Sequence, residues 1–128
     1  LSARLAFAML SINAVKGFEI GDGFALARCL GSHVNDVMER TECGTIAFRT
    51  NHSGGIQGGI STGADIRFSV AFKPTPTIAL EQETLNLEGE AVRFAGTGRH
   101  DPCVALRGVS VVHAMTALVL ADAYLASR

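Results

Sequence analysis

The sequence has little net charge and no long apolar run. Its 11 basic and 12 acidic side chains leave a net charge of −1, whereas a nucleic-acid-binding surface carries a basic excess. Even the most apolar segment, residues 109–125, is interrupted by polar side chains, and a membrane span needs about 18 or more consecutive apolar residues. The sequence therefore predicts a protein that binds neither nucleic acid nor membrane.

Cysteine is scarce, and histidine shows no metal-site spacing. Cys29, Cys43 and Cys103 are odd in number and fit no zinc pattern, which argues against a disulfide framework or a structural zinc site. Buried or incidental free thiols are expected, and these are typical of a reducing compartment. Because no secretory signal is recognisable, the predicted location is the cytoplasm, and no metal is predicted.

The composition is that of a folded domain. Apolar residues make up 48% of the chain and charged residues 18%, which is unlike a disordered segment. A length of 128 residues is enough for one domain with a core. The chain starts at Leu1, without a methionine and with an apolar helical pattern already in progress, so we expect it to be part of a longer protein.

The apolar periodicity predicts an α+β protein. The predicted helices are 1–12, 24–30 and 110–127, the last with Ser110 as its N-cap and apolar on nearly all sides, so that burial from several directions is expected. The predicted strands are 15–20, 45–50, 66–72 and 92–94. Turns or loops are predicted at 21–23, at 32–44, where the acidic residues are interpreted as solvated, and at 51–63.

One segment with potential chemistry is rich in glycine. Five of the chain's 14 glycines fall between Gly54 and Gly63. Glycine lets the backbone approach a ligand closely and leaves N–H groups free for an anion. The same composition is more often a flexible loop, and both interpretations stay open.

Two further segments combine cations with other polar groups. Residues 73–77 follow the clearest predicted strand and offer a lysine, two hydroxyls and two prolines, which suits a phosphate or the polar edge of a flavin. The alternative is a solvated lysine where an edge strand ends. Residues 99–103 place Arg99 two positions before Asp101, which fits either an anion site with a proton-transfer group or a local ion pair.

Taken in order, these segments resemble the chorismate synthase family. The resemblance rests on residues 13–17 followed by 19–24, then 50–63, 73–77 and 99–103. It extends over residues 1–128, as the C-terminal part of a single domain of that family. It implies helices packed between antiparallel sheets, here incomplete, in a cytoplasmic homotetramer.

The resemblance also implies an activity. The family converts 5-enolpyruvylshikimate 3-phosphate to chorismate and phosphate in the shikimate pathway of aromatic amino acid biosynthesis. This 1,4-elimination needs reduced FMN without net redox change, and the proton is taken through flavin N5. Carried over to this sequence, the flavin-binding residues are Asn13, Ala14, Gly58, Lys73, Pro74, Thr75, Pro76, Thr77 and Arg99. Asp101 is the implied catalytic base.

Some parts of the family pattern are not present in this sequence. The histidines that act as general acids, and the arginine-rich segments for the substrate phosphate and NADPH, lie outside it. His113 also stands where the family usually has glutamate. We therefore expect no turnover from these 128 residues alone. The alternatives are a non-catalytic flavin- or anion-binding module and an oligomerisation fragment.

Overall fold

The computed structural model describes residues 1–128. Its helices are α1 (Ser2–Leu10), α2 (Gly31–Val34) and α3 (Ala105–Ala126), with a 3-10 helix at Gly23–Arg28. Its strands are β1 (Val15–Ile20), β2 (Met38–Arg40), β3 (Ile46–Phe48), β4 (Ile56–Gln57), β5 (Ile60–Ser61), β6 (Phe68–Phe72), β7 (Gln82–Leu85) and β8 (Ala91–Phe94). They form four antiparallel pairs: β1 with β6, β2 with β3, β4 with β5 and β7 with β8. The α+β class is therefore as predicted.

The best-packed part of the molecule is α1 on the β1–β6 ribbon. The ribbon runs from Ile20 opposite Phe68 to Val15 opposite Phe72. On α1, the apolar residues Leu5, Ala8 and Met9, at helical spacing, are buried, and Leu5 and Met9 are fully buried. The small core, which includes Val15 of β1, holds α1 against this strand of the ribbon.

Two segments predicted as loops contain regular structure. Residues 32–44 overlap α2 and contain β2, which pairs with β3. Residues 51–63 contain the β4–β5 hairpin, whose Gly58 and Gly59 have φ of 57° and 80°. A two-residue loop with positive φ at both positions is a type I′ turn, whose twist matches that of the strands. Two of the five glycines that favoured a loop, Gly58 and Gly59, therefore form a hairpin turn.

The predicted helix 1–12 and the predicted strands 45–50 and 66–72 are observed with shorter bounds, and three further elements differ in their start, type or pairing. The last helix begins at Ala105, not at residue 110, and Ser110 lies inside it; its N-cap is Val104, without a side-chain cap. The predicted helix 24–30 is a 3-10 helix. The predicted strand 92–94 is β8, and its partner β7 was not predicted because its sequence has no apolar alternation.

Helix α3 is not surrounded within these residues. Gly108 is its only buried residue, and Leu106, Leu118 and Leu125 are 78%, 65% and 69% exposed. The accessible surface is 9628 Å², against about 6,500 Å² for a compact monomer of this mass. By length and composition α3 could cross a membrane, a test that core helices of soluble proteins also pass. The absence of a membrane span therefore stays a prediction.

The three cysteines are free and exposed. The expectation of free thiols is confirmed. Of the two expected states, buried or incidental, the buried one does not occur. The reason is the small core, which contains only Leu5, Ala8, Met9, Val15 and Ile56 as buried apolar residues.

Candidate functional site

Lys73 lies beside Ala14, where the β1–β6 ribbon ends. The Lys73 backbone N–H donates to the Ala14 carbonyl at 2.7 Å, which continues the pairing beyond Val15 and Phe72. Ala14 has a φ of 69° and is the one non-glycine residue with positive φ. Such a backbone conformation costs of order 1–3 kcal/mol and is found often at functional sites. Two of the predicted flavin-binding segments are therefore adjacent.

Asp101 joins the same group of residues. The Thr75 hydroxyl donates to the Asp101 backbone carbonyl at 2.9 Å. The Asp101 carboxylate lies 3.0 Å from Nη1 of Arg107, in the first turn of α3. We call Asn13, Ala14, Lys73, Thr75 and Asp101 the Lys73 cluster. It unites three segments that the sequence placed far apart.

Two cations at and beside this cluster have no acidic partner. Lys73 and Arg99 are exposed, and neither side chain is among the ion pairs, all of which involve other residues. The alternative of a local Arg99–Asp101 pair is therefore wrong, because Asp101 pairs with Arg107. Unpaired cations next to free hydroxyl and amide donors suit a phosphorylated ligand.

The glycine-rich segment is anchored at its base through His52. The His52 backbone N–H donates to Asp36 Oδ1 at 2.6 Å, and its carbonyl accepts from the Asp22 N–H at 2.9 Å. Its ring Nδ1 lies 2.6 Å from Asp22 Oδ2. All three bonds are long-range in sequence, so they fix the position of residue 52 in the fold.

Arg67 ties the same base to the ribbon. Its guanidinium donates to Asp22 Oδ1 at 2.6 Å and to the Asn51 carbonyl at 3.0 Å. Its backbone carbonyl accepts from Gly21 at 2.8 Å, and its N–H donates to Gly54 at 3.1 Å. A Cβ on Gly54 would overlap the Arg67 carbonyl oxygen and the Gly21 nitrogen. Only glycine permits this close backbone contact.

Asp36 is held as a carboxylate. Partial burial raises its pKa, but hydrogen bonds from the backbone of Ser53 and His52 outweigh that effect and lower the pKa from 3.8 to about 2. The carboxylate accepts at 2.6 Å from His52 and at 3.0 Å from Ser53. The sequence had favoured a solvated role for Asp36, and the structure gives it a structural one.

Gly58 lies apart from the Lys73 cluster. It is at the exposed tip of the β4–β5 hairpin, and a Cβ there would meet nothing within 4 Å. The base of this hairpin is at the Ile20–Phe68 end of the ribbon, and Lys73 follows the opposite end. Five strand residues separate the two ends by about 17 Å. The structure thus brings residues 13–14, 73–75 and 101 together and leaves Gly58 apart from them.

A cavity of about 390 Å³ borders the Lys73 cluster, between residues 11–13, which follow α1, the end of β6, and α3. Asn13, Phe72 and Arg107 are among its lining residues. Arg107 was not predicted as a site residue. Its only sequence signal is its position six residues after Asp101. This spacing does not predict a contact between the two side chains unless the start of α3 is known.

Together these features define an α+β protein with an anion-receptive cluster that contains one carboxylate. The chorismate synthase family model matches residues 1–125. The chain is 66% identical over 128 residues to chorismate synthase of Porphyromonas gingivalis, covering 100% of this chain and 35% of the relative. It is 55% identical over 128 residues to that of Cytophaga hutchinsonii, covering 100% of this chain and 36% of the relative. The chain belongs to the chorismate synthase family.

A solved structure agrees with this assignment. A crystal structure of chorismate synthase superimposes with a TM-score of 0.75 at 36% identity, covering 98% of this chain and 30% of that chain. Both the resemblance seen in the sequence and the predicted fold class are thereby confirmed. The chain spans about a third of the length of the curated relatives that it matches.

Proposed function

We propose that residues 1–128 form the C-terminal part of a single chorismate synthase domain and supply the flavin-facing half of its active site. The whole enzyme, in this proposal, is a cytoplasmic lyase that eliminates phosphate from 5-enolpyruvylshikimate 3-phosphate to give chorismate. The observation that carries the proposal is the convergence of Ala14, Lys73 and Asp101 in a chain of this family.

The residues present fit a phosphorylated flavin. Lys73 and Arg99 are exposed cations without acidic partners, and the prolines at 74 and 76 keep the stretch between Lys73 and Thr77 extended. Asn13 lines the cavity beside the cluster, so its side-chain amide can serve a ligand there. Reduced FMN, when bound, would supply electron density that assists loss of phosphate without net redox change.

The protein's own contribution is charge and proton handling. Lys73 and Arg99 hold anionic groups of cofactor or substrate, and their charge is effective because no carboxylate neutralises it locally. The carboxylate of Asp101 accepts the proton removed during the elimination. Its backbone is held by Thr75, so the group that takes the proton is fixed to the stretch that holds the flavin.

Asp101→Asn in a full-length enzyme that carries these residues tests the proposal. Asparagine keeps the size of the side chain and removes its basicity, so we expect turnover to fall by about 100-fold or more with FMN still bound. Stopped-flow detection of chorismate and fluorescence titration of FMN give the two quantities. Unchanged turnover would favour the alternative of a non-catalytic flavin- or anion-binding module.

The 128-residue chain alone is proposed to be inactive, because the general acids lie elsewhere in the family. Chorismate formed from substrate and reduced FMN by this purified chain would contradict that. The exposed apolar face of α3 is the observation that favours the second alternative, an oligomerisation fragment. A homotetramer is proposed for the whole enzyme, and sedimentation of the full-length protein measures it.

A further inference from the structure

Arg107 occupies an electrostatically unfavourable position for a cation. It is the third residue of α3, and the first turn of that helix contains no acidic residue. Positive charge near a helix N-terminus opposes the helix dipole by about 0.3–1 kcal/mol at exposed sites. Asp101, just before the helix, supplies the compensating carboxylate at 3.0 Å. The ion pair therefore offsets the unfavourable position of the Arg107 charge, and it also holds one oxygen of the Asp101 carboxylate.

The backbone that carries Arg107 is firmly placed. The neighbouring Gly108 is buried, and a Cβ there would overlap the ring of Phe72. The Arg107 and Gly108 N–H groups both donate to the Val104 carbonyl, at 3.2 and 2.9 Å. Because Phe72 directly precedes Lys73 in the chain, the helix start is held against the strand that leads into the Lys73 cluster.

Asp101 is thus held from two sides by different elements. Thr75 fixes its backbone carbonyl at 2.9 Å, and Arg107 fixes its carboxylate. Arg107 also lines the cavity to which Asn13 contributes. An arginine orients a carboxylate better than a lysine does, because its planar guanidinium presents donors in fixed directions.

We propose that Arg107 is a positioning residue that holds the Asp101 carboxylate in its working orientation. The inference rests on the proposed function, in which Asp101 accepts the proton. Arg107 itself touches neither cofactor nor substrate in this proposal. Its side chain is 75% exposed, and exposed pairs contribute about 0–1 kcal/mol to folding. Its replacement should therefore change turnover far more than stability.

A double-mutant cycle in the full-length enzyme tests this role. The variants are Asp101→Asn, Arg107→Gln, both together, and Arg107→Lys as the conservative change. We expect Arg107→Gln to lower kcat by about 10- to 100-fold, as misplacement of a catalytic group does, with KM, the Kd for FMN and the thermal midpoint nearly unchanged. Arg107→Lys should recover part of kcat. The double variant should be no slower than Asp101→Asn alone.

Arg93→Gln is the matched control. Arg93 is 70% exposed and lies 3.7 Å from Glu81 and from Glu83, so this change also removes an arginine from an exposed acidic partner. Normal kcat for Arg107→Gln, or an effect that adds fully to that of Asp101→Asn, would overturn the positioning role. Normal kcat for Asp101→Asn itself would refute the proposed base and, with it, this inference. The two failures are therefore distinguishable, because the outcomes for Arg107→Gln leave the proposed base intact.

Discussion

The base of the glycine hairpin and the Lys73 cluster are built in opposite ways. At the hairpin base, the polar groups of His52, Asp22 and Arg67 are paired with one another. At the Lys73 cluster, only two hydrogen bonds tie the backbone, one from Lys73 to Ala14 and one from Thr75 to Asp101. The charged ends of Lys73 and Arg99 have no acidic partner.

The difference separates scaffold from binding surface. A polar group that is satisfied within the protein contributes to order and specificity of the fold, whereas an unpaired cation is available to an anion. We infer that the hairpin base holds the fold in shape, and that the Lys73 cluster faces ligand. The following predictions concern the full-length protein and test this division.

The largest effect is expected for Gly54→Ala. Gly54 has a φ of 64°, and the new Cβ would overlap the backbone of Arg67 and Gly21. Strain and overlap together should lower the free energy of unfolding by about 3 kcal/mol or more. Gly44→Ala is the control, since Gly44 also has positive φ, 84°, but nothing within 4 Å, so about 1 kcal/mol is expected. Equal urea midpoints for the two variants would show that the hairpin base is not rigid.

Asp22→Ala should have the next largest effect. It removes the acceptor for both His52 and Arg67, which lie 2.6 Å away, and leaves two donors without their partner. A loss of about 1–3 kcal/mol in unfolding free energy is expected. Asp122→Ala breaks only the exposed pair with Arg4 and should cost about 0–1 kcal/mol. Equal unfolding free energies for the two variants in chemical denaturation would contradict the structural role of Asp22 at the hairpin base.

Lys73→Gln and Arg99→Gln should instead weaken ligand binding. Each removes a cation without an internal partner, so the Kd for FMN should rise about tenfold, equal to about 1.4 kcal/mol. The free energy of unfolding should change by less than about 0.5 kcal/mol. Arg28→Gln, an exposed arginine outside the cluster, should leave the Kd unchanged. Fluorescence titration measures the Kd for FMN, and wild-type affinity in both the Lys73 and the Arg99 variant would remove these two residues from the proposed flavin site.

The last prediction concerns acid, because its effect is confined to a narrow range of low pH. The pKa of Asp36 is lowered from 3.8 to about 2 in the folded state. Its contribution to stability is therefore complete above about pH 4 and is lost as the pH falls towards 2. Asp36→Asn should flatten the fall of the urea midpoint across this range, and Asp65→Asn should not. If both variants follow the wild-type curve, Asp36 does not anchor His52.

Much of the candidate site could be predicted from sequence, because the family signatures are contiguous segments. The strand 15–20 was predicted with its observed bounds, since apolar alternation and the following Gly21 are local signals. The β4–β5 hairpin was not predicted, although Gly58 and Gly59 between two short apolar strands are a hairpin signal. Five glycines in one segment obscured it.

By itself, the sequence determined the family, the α+β class and the segments that carry the cations, because motif order and periodicity are properties of the chain. Only the tertiary structure decided that Asp101 pairs with Arg107 rather than Arg99. It also decided that His52 meets Asp22 across 30 positions. Such pairings depend on where helices begin and how strands register, and these are set by packing between distant segments rather than by local propensity.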